Sequence, residues 1–240
     1  VAAQTSFAGA NSTGIPIFLD NPFLSPAAAA TIRSLMPDGT VAFRLQRNNI
    51  DFDSREETGF RETSRVVLGV KGEFNEDWRY DVSLNYGKFK QDLQSQNNRI
   101  QQRFRLATDA VRNAAGQIVC RSQLPGQVTT VPAGAPAADT AALAADIAAC
   151  VPLNLLGEGA PSQAAIDYVN IDTTSIQKQE QKVALAYVTG DSSQLFELPG
   201  GPIGFAIGGE WRQEDGFRDY SDIVSTGRTF LTAISTFTPT

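Results

Sequence analysis

The chain has no histidine, two cysteines and one methionine among its 240 residues. Without histidine there is no imidazole to act as a general base, and a zinc site would lack its usual nitrogen ligands. A membrane-spanning helix needs about 18 consecutive apolar residues, and no segment approaches that length. These absences weigh against histidine-dependent catalysis, zinc binding and a helical membrane protein.

Clustered basic charge is also missing. The formal net charge is -6, the pI is about 4.8, and lysine and arginine are scattered along the chain. A nucleic-acid interface needs a basic face, so we expect no nucleic-acid partner. No basic segment followed by an apolar core opens the sequence, so we expect a mature or internal segment.

Acidic and hydroxyl side chains form no recognisable catalytic set. Adjacent carboxylates on a strand point to opposite faces, so they cannot readily share one substrate. A serine nucleophile needs an activating base, and we identify none. We therefore predict a chain without catalytic residues, cofactors or metal ligands. The acidic pairs are Glu56/Glu57, Glu76/Asp77 and Glu214/Asp215.

The two cysteines, Cys120 and Cys150, flank loop-like sequence and form no C-x-x-C motif. Two interpretations stay open: a disulfide formed in an oxidising compartment, which we favour, or two buried free thiols. In the chain-entropy model, a disulfide that closes a loop of this size stabilises the folded state by about 3 to 4 kcal/mol.

Apolar residues alternate with polar ones in several segments, which is the period of a strand with one apolar face. Within 65–86, two such runs are joined by a polar link of three residues and predict a β-hairpin. A later run predicts an apolar row of Val183, Leu185 and Tyr187 opposite two alanines. In total we predict about five strands, at 40–49, 64–74, 78–89, 180–190 and 202–213.

Short helices are predicted in the loop-like segments. Ser25 can cap a helix that begins at a proline and continues through four alanines. Asp139 can cap "TAALAADIAA", and Ser162 can cap "QAAIDYV". Apolar spacing over 103–115 predicts one more helix, with Val111 on its apolar face.

The alternating runs have no obvious apolar element to pack against, which a soluble sheet would need. In an outer-membrane barrel, lipid takes that role, strands need about 9 to 11 residues, aromatic girdles mark both interfaces and the lumen is polar. A soluble sandwich or jelly roll is the alternative fold. The residues that we assign to the girdles are Phe74, Trp78, Tyr80, Tyr86 and Trp211. The lumen-facing candidates are Arg65, Lys71, Arg79 and Arg212.

Four stretches, taken in order, resemble the barrel region of proteobacterial TonB-dependent receptors. They are "RVVLGVKGEFNEDWRYDVSLNYG", "FRLATDAVRNAAGQIVCRS", "CVPLNLLGEG" with "SQAAIDYV", and "FELPGGPIGFAIGGEWR". The resemblance implies an outer-membrane barrel with a plug, which imports scarce nutrients using energy from the TonB system. It also implies that Cys120 and Cys150 are bonded within one external loop. Ligand residues vary with substrate in that family, so none is carried over.

Together, the resemblance and the strand pattern predict an all-β antiparallel meander that forms part of a barrel. Residues 1–62 are expected to be loop-rich with a short helix and one strand, and 63–89 to form a β-hairpin. Residues 90–179 are expected to form a long external loop with a disulfide, 180–213 a second hairpin, and 214–240 an external loop. Five strands cannot close a barrel, so we expect an internal segment of a longer receptor.

The sequence thus predicts a non-catalytic segment of a TonB-dependent transporter in the bacterial outer membrane, with extracellular loops. Its expected partners are outer-membrane lipid, the remainder of the receptor, and the TonB system acting through the plug. One alternative is a proteolytic fragment that self-assembles outside the cell through open strand edges. Another is a soluble β-sandwich that acts as a binding module.

Overall fold

The computed structural model describes residues 14–73 and 75–230. Strands account for 44% of the structure and helices for 20%, and the sheets are antiparallel, which confirms the β-rich prediction. The strands are β1 (Ile15–Phe18), β2 (Ala42–Leu45), β3 (Glu57–Glu73), β4 (Arg79–Arg99), β5 (Ala110–Arg112), β6 (Ile118–Cys120), β7 (Asn170–Asp191) and β8 (Gly204–Tyr220). The helices are α1 (Pro26–Ser34), α2 (Gln101–Thr108), α3 (Ala137–Ala148), α4 (Gln163–Val169) and α5 (Asp222–Ser225).

The chain divides into two compact units. The first, which we name the loop unit, contains the described residues 14–58, 94–174 and 220–230. The second, the sheet unit, contains the described residues 59–73, 75–93 and 175–219. Strands β4 and β7 contribute residues to both units, so each unit is built from segments that are distant in sequence.

The sheet unit is formed by four strands in the order β3-β4-β7-β8. These strands are 17, 21, 22 and 17 residues long, whereas strands of globular proteins commonly have about five or six. Strand β4 continues ten residues beyond 89, and β7 begins ten residues before 180. Residues 90–99 and 170–179, the two ends of the segment predicted as a long loop, are therefore strand.

The strand predicted at 40–49 exists only as β2, and it does not belong to the four-stranded sheet. It pairs antiparallel with β1, with Ile15 opposite Leu45 and Ile17 opposite Phe43. No period-two signal predicts β1, because the strand contains only four residues, one of them proline. A second small sheet joins β5 to β6.

Helix caps follow the predicted chemistry at two of three positions. The side chains of Ser25 and Ser162 accept hydrogen bonds from the backbone N–H groups three residues later, so α1 and α4 begin as predicted. Asp139 is not a cap, because α3 begins earlier, at Ala137. The helix predicted over 103–115 is also wrong in extent, since α2 ends at Thr108 and Val111 lies in β5.

Candidate functional site

The four-stranded sheet presents two chemically different faces. Three cross-strand hydrogen bonds link side chains of β3 to β4, β4 to β7 and β7 to β8, so the bonded residues share one face, which we name the polar face. They run from Arg65 Nε to Asn85 Oδ1 (2.8 Å), from Tyr187 Oη to Asp81 Oδ2 (3.3 Å) and from Gln181 Nε2 to Glu214 Oε1 (2.8 Å).

Successive side chains of a strand point to opposite sides, so the alternate residues form the other face, which we name the apolar face. The rings of Trp78 and Phe205 meet on it edge to face, with centroids 4.6 Å apart. Gly190 lies between them, and a Cβ there would come within 3.0 Å of Trp78 Cγ. The larger side chains of this face are Val66, Leu68, Val70, Tyr80, Val82, Leu84, Tyr86, Ile207 and Trp211.

The apolar face is exposed along its length. Leu68 is 65% exposed, Ile207 72% and Trp211 55%, and no element that the structure describes covers them. From Trp78 to Tyr86 the apolar run extends about 26 Å along β4 at the usual rise per residue. Beyond it, Lys88 Nζ lies 3.9 Å from Glu180 Oε1, so charged groups replace apolar ones at that end. The result is an apolar band with a charged border.

The predicted girdle residues fall on the apolar face in two groups. Trp78 directly precedes β4 and Tyr80 is its second residue, so both lie next to the hairpin link, while Tyr86 lies toward the other end of the band. Trp211 lies on β8, on the same face as Phe205 by strand alternation. Phe74 lies outside the described residues.

The four lumen-facing candidates belong to the polar face. Arg65 bonds Asn85, and Arg79 Nε lies 2.9 Å from Glu73 Oε1. Arg212 Nε donates to Glu210 Oε1 at 3.0 Å, and Lys71 shares the face by alternation along β3.

The sequence predicts an apolar row on β7, but the structure places that row on the polar face of the sheet. The bond from Tyr187 to Asp81 places Tyr187, and with it Val183 and Leu185, on the polar face. The alanines Ala184 and Ala186 occupy the apolar face instead. The prediction was wrong because alternation separates the side chains of a strand into two rows but does not show which face of the sheet each row occupies.

The loop unit has its own hydrophobic core, and the disulfide lies in it. Cys120 is fully buried and bonded to Cys150, with 6.2 Å between the Cα atoms, which confirms the predicted disulfide. The bond joins the end of β6 to the residue that follows the C-cap of α3. Around it pack, among others, Ile17, Phe52, Phe104, Leu153, Ile166 and Val169.

Two buried carboxylates of α3 organise the polar interior of the loop unit. Asp146 is 1% exposed and accepts hydrogen bonds from Arg103 Nε at 2.8 Å, Arg228 Nη2 at 2.6 Å and Gln102 Nε2 at 2.9 Å. Arg228 Nε also donates to Asp139 Oδ1 at 2.8 Å. Two arginines thus balance two carboxylates, as a buried ion cluster requires.

Two buried ionisable side chains near this interior have shifted pKa values. The guanidinium of Arg99 lies 4.7 Å from the ring centroid of Phe52 and 4.5 Å from that of Phe104. Burial, reinforced by the charges of Arg47 and Arg55, lowers the pKa of Arg99 to about 10. Burial and the charge of Asp146 raise the pKa of the Tyr168 hydroxyl, which donates to the Asp146 carbonyl at 2.7 Å.

Asp51 provides a pH-dependent contact in the loop unit. Although burial acts to raise its pKa, the hydrogen bonds from Arg47 and from the Gly159 N–H lower it below the usual value of 3.8. The stabilisation from the ionised carboxylate is therefore present above pH 3.8 and lost as the pH falls through the lowered pKa.

We expect Asp51→Asn to destabilise the loop unit near neutral pH and to lose that effect in acid. The measurement is the difference in unfolding free energy between the parent chain and D51N from pH 6 down to pH 3. A difference that stays constant over this range would contradict the assignment.

Several of these residues could not be selected from sequence. A signal existed for Asp146, which is one of two charged residues in the otherwise alanine-rich α3. None existed for Arg228, since Asp139 and Asp146 are distant from it in sequence. None existed for Arg99 either, since one of its two ring partners, Phe52, is distant in sequence and no local pattern indicates that Arg99 is buried. Within 14–73 and 75–230, no three His, Cys, Asp or Glu side chains group so that they could hold a metal ion. Over the same residues, no helix has the length and apolar character to cross a membrane.

Comparison with known proteins adds no family assignment. No protein-family model matches the chain, and no curated protein matches it.

Proposed function

We propose that the chain is a non-catalytic segment of a TonB-dependent outer-membrane transporter. In this proposal the apolar face contacts lipid, the polar face lines the lumen, and the loop unit is extracellular. The transported solute would be a scarce nutrient such as a siderophore or carbohydrate. The remaining partners would be the rest of the receptor and the TonB system acting through the plug.

The observation that carries the proposal is the exposed apolar band. Apolar patches of this kind on soluble proteins mark interfaces, and a sheet in water buries such a face against another layer. Strands of 17 to 22 residues exceed the length that a bilayer requires, and the band has aromatic rings toward both ends. Polar partners on the opposite face suit a water-filled interior.

Two neighbouring residues of β3 give a matched test of the lipid contact. Leu68 is 65% exposed on the apolar face and Val67 is 55% exposed on the polar face. We expect Leu68→Arg to destabilise the vesicle-inserted protein by about 2 to 4 kcal/mol, because the charge enters hydrocarbon. Val67→Arg should cost about 1 kcal/mol or less, because it remains in water. Denaturant unfolding in phosphatidylcholine vesicles measures both.

Equal effects of the two substitutions would contradict the lipid assignment. So would recovery of the parent chain as a soluble cytosolic monomer. Outer-membrane fractionation with heat-modifiable gel migration is the matching cellular measurement.

A second candidate is self-assembly through strand edges. It is favoured by β3 and β8, which lie at the two edges of the four-stranded sheet and have 17 residues each. Edge strands offer unpaired backbone groups to a further strand. Electron microscopy of the purified chain separates the candidates, since filaments favour assembly and detergent-bound particles favour the transporter.

A further inference from the structure

Arg99 is buried in the loop unit without a carboxylate partner. Its guanidinium lies against two rings tilted by 45°, 4.7 Å from the centroid of Phe52 and 4.5 Å from that of Phe104, and the residue is 4% exposed. Among the described residues, this guanidinium makes no hydrogen bond and no ion pair. Buried charges are usually paired, because taking an ion out of water costs free energy. Arg99 therefore lacks the counterion that its position requires.

Two further arginines increase the excess of positive charge. Burial lowers the pKa of Arg99 to about 10, the charges of Arg47 and Arg55 contribute to the same shift, and no carboxylate opposes it. Arg47 has its own anion, Asp51, and its guanidinium lies 5.9 Å from the centroid of the Phe52 ring. Arg55 is half-buried, and its side chain makes no ion pair or hydrogen bond within the described part of the chain. Two cations are thus left without a counterion.

The acidic side chains close to Arg55 in sequence do not supply the missing anion. Asp53 and Glu57 each accept a hydrogen bond from a neutral side chain, and Glu56 is exposed. The sequence outside the described ranges contains no aspartate or glutamate. No carboxylate of the described residues therefore pairs with Arg99 or Arg55.

An anion from solution can reach the terminal amino groups of Arg99. Nε is the only nitrogen of this side chain that is both enclosed and without a hydrogen bond. Nη1 and Nη2 also have no hydrogen-bond partner among the described residues, so they keep contact with solvent. Arg55, whose charge acts on Arg99, is more exposed and also accessible.

Two unbalanced positive charges favour a dianion. A phosphate group carries about two negative charges at neutral pH, and guanidinium groups bind its oxygens through paired hydrogen bonds. A monoanion would balance only one of the two arginines. The net charge of -6 opposes an anion weakly, because salt screens charges that are more than about 8 Å apart.

We propose that Arg99 and Arg55 bind a phosphate group, whose oxygens accept hydrogen bonds from the terminal amino groups of both arginines. The rings of Phe52 and Phe104 hold the guanidinium of Arg99 in place for this contact. The phosphate is either the free ion or part of a phosphate monoester. All these residues belong to the loop unit, so the site goes beyond the transport proposal and does not depend on it.

Inorganic phosphate is the first probe, in calorimetric titration of the whole disulfide-bonded chain at constant ionic strength. We expect saturable binding that Arg55→Gln weakens at least about tenfold, because a charge-assisted contact is lost. Nitrate, a monoanion, should bind at least about tenfold more weakly than phosphate. Arg33→Gln, a matched change at an exposed arginine of α1, should leave the phosphate affinity unchanged.

Arg99→Met gives a second test through stability. Methionine keeps an unbranched stem beside the two rings and removes the charge. Phosphate should raise the denaturant midpoint of the parent chain in a saturable way, because a ligand stabilises the state that binds it. It should leave the midpoint of R99M unchanged. If circular dichroism shows that R99M is unfolded, the comparison of R55Q with R33Q decides.

Glycerol 3-phosphate distinguishes the two sources of the phosphate group. Binding at least as tight as that of inorganic phosphate identifies a monoester as the ligand, and weaker binding identifies the free ion. Three results would overturn the proposal. They are the absence of saturable phosphate binding, equal affinity for nitrate and phosphate, and unchanged phosphate affinity in R55Q.

Discussion

Replacing Asp146 with alanine is expected to destabilise the loop unit by about 3 to 5 kcal/mol. Its carboxylate is 1% exposed and bonded to both Arg103 and Arg228. Removing it takes the shared anion away from Arg103 and Arg228, and leaves Arg228 with Asp139 as its remaining ion-pair partner. Such a loss approaches the whole stability of many domains, so we expect much of the loop unit to unfold. Denaturant titration followed by circular dichroism measures the change.

Asp167 supplies the matched control for this prediction. It lies exposed on α4, where its carboxylate accepts a hydrogen bond only from Gln163, at 2.9 Å, among the described contacts. Asp167→Ala should change the unfolding free energy by about 0.5 kcal/mol or less. Equal losses for D146A and D167A would show that the buried cluster has no special contribution.

Removing the disulfide is expected to cost about 3 to 4 kcal/mol by the chain-entropy model. The bond closes 30 residues of separation, and both cysteines are buried in the core of the loop unit. Cys120→Ala together with Cys150→Ala should therefore lower the denaturant midpoint strongly. The parent chain under reducing conditions should show a comparable loss.

The reductant itself provides the control for that measurement. It should shift the unfolding midpoint of the parent chain and leave that of the double variant unchanged. If the oxidised and reduced parent chains unfold at the same denaturant concentration, the cross-link contributes no stability.

Period-two alternation located the ends of the four long strands that lie at the two short links, but it did not locate their opposite ends. The sequence from Lys90 to Arg99 and from Asn170 to Gln181 is polar at nearly every position, so both strand faces look alike. Backbone hydrogen bonding continues there without any hydrophobic contrast that a pattern could detect. Tyr187 was assigned to the wrong face for another reason, since alternation separates two rows of side chains without showing which face of the sheet each row occupies.

The polar interior of the loop unit is the part of the structure that the sequence predicts least well. Ser25 and Ser162 act on N–H groups three residues away, so local pattern was enough to assign them. Asp139 instead pairs with Arg228, 89 residues distant, and no local rule reveals such a partner.

The disulfide also determines what a protease could do to this molecule. Between the two cysteines, residues 124–134 are mostly exposed and include the left-handed glycines Gly126 and Gly134. Exposed stretches of this kind are preferred sites of nicking. A cut there leaves the two fragments tethered through sulfur, so the damaged molecule keeps its mass and separates only when reduced.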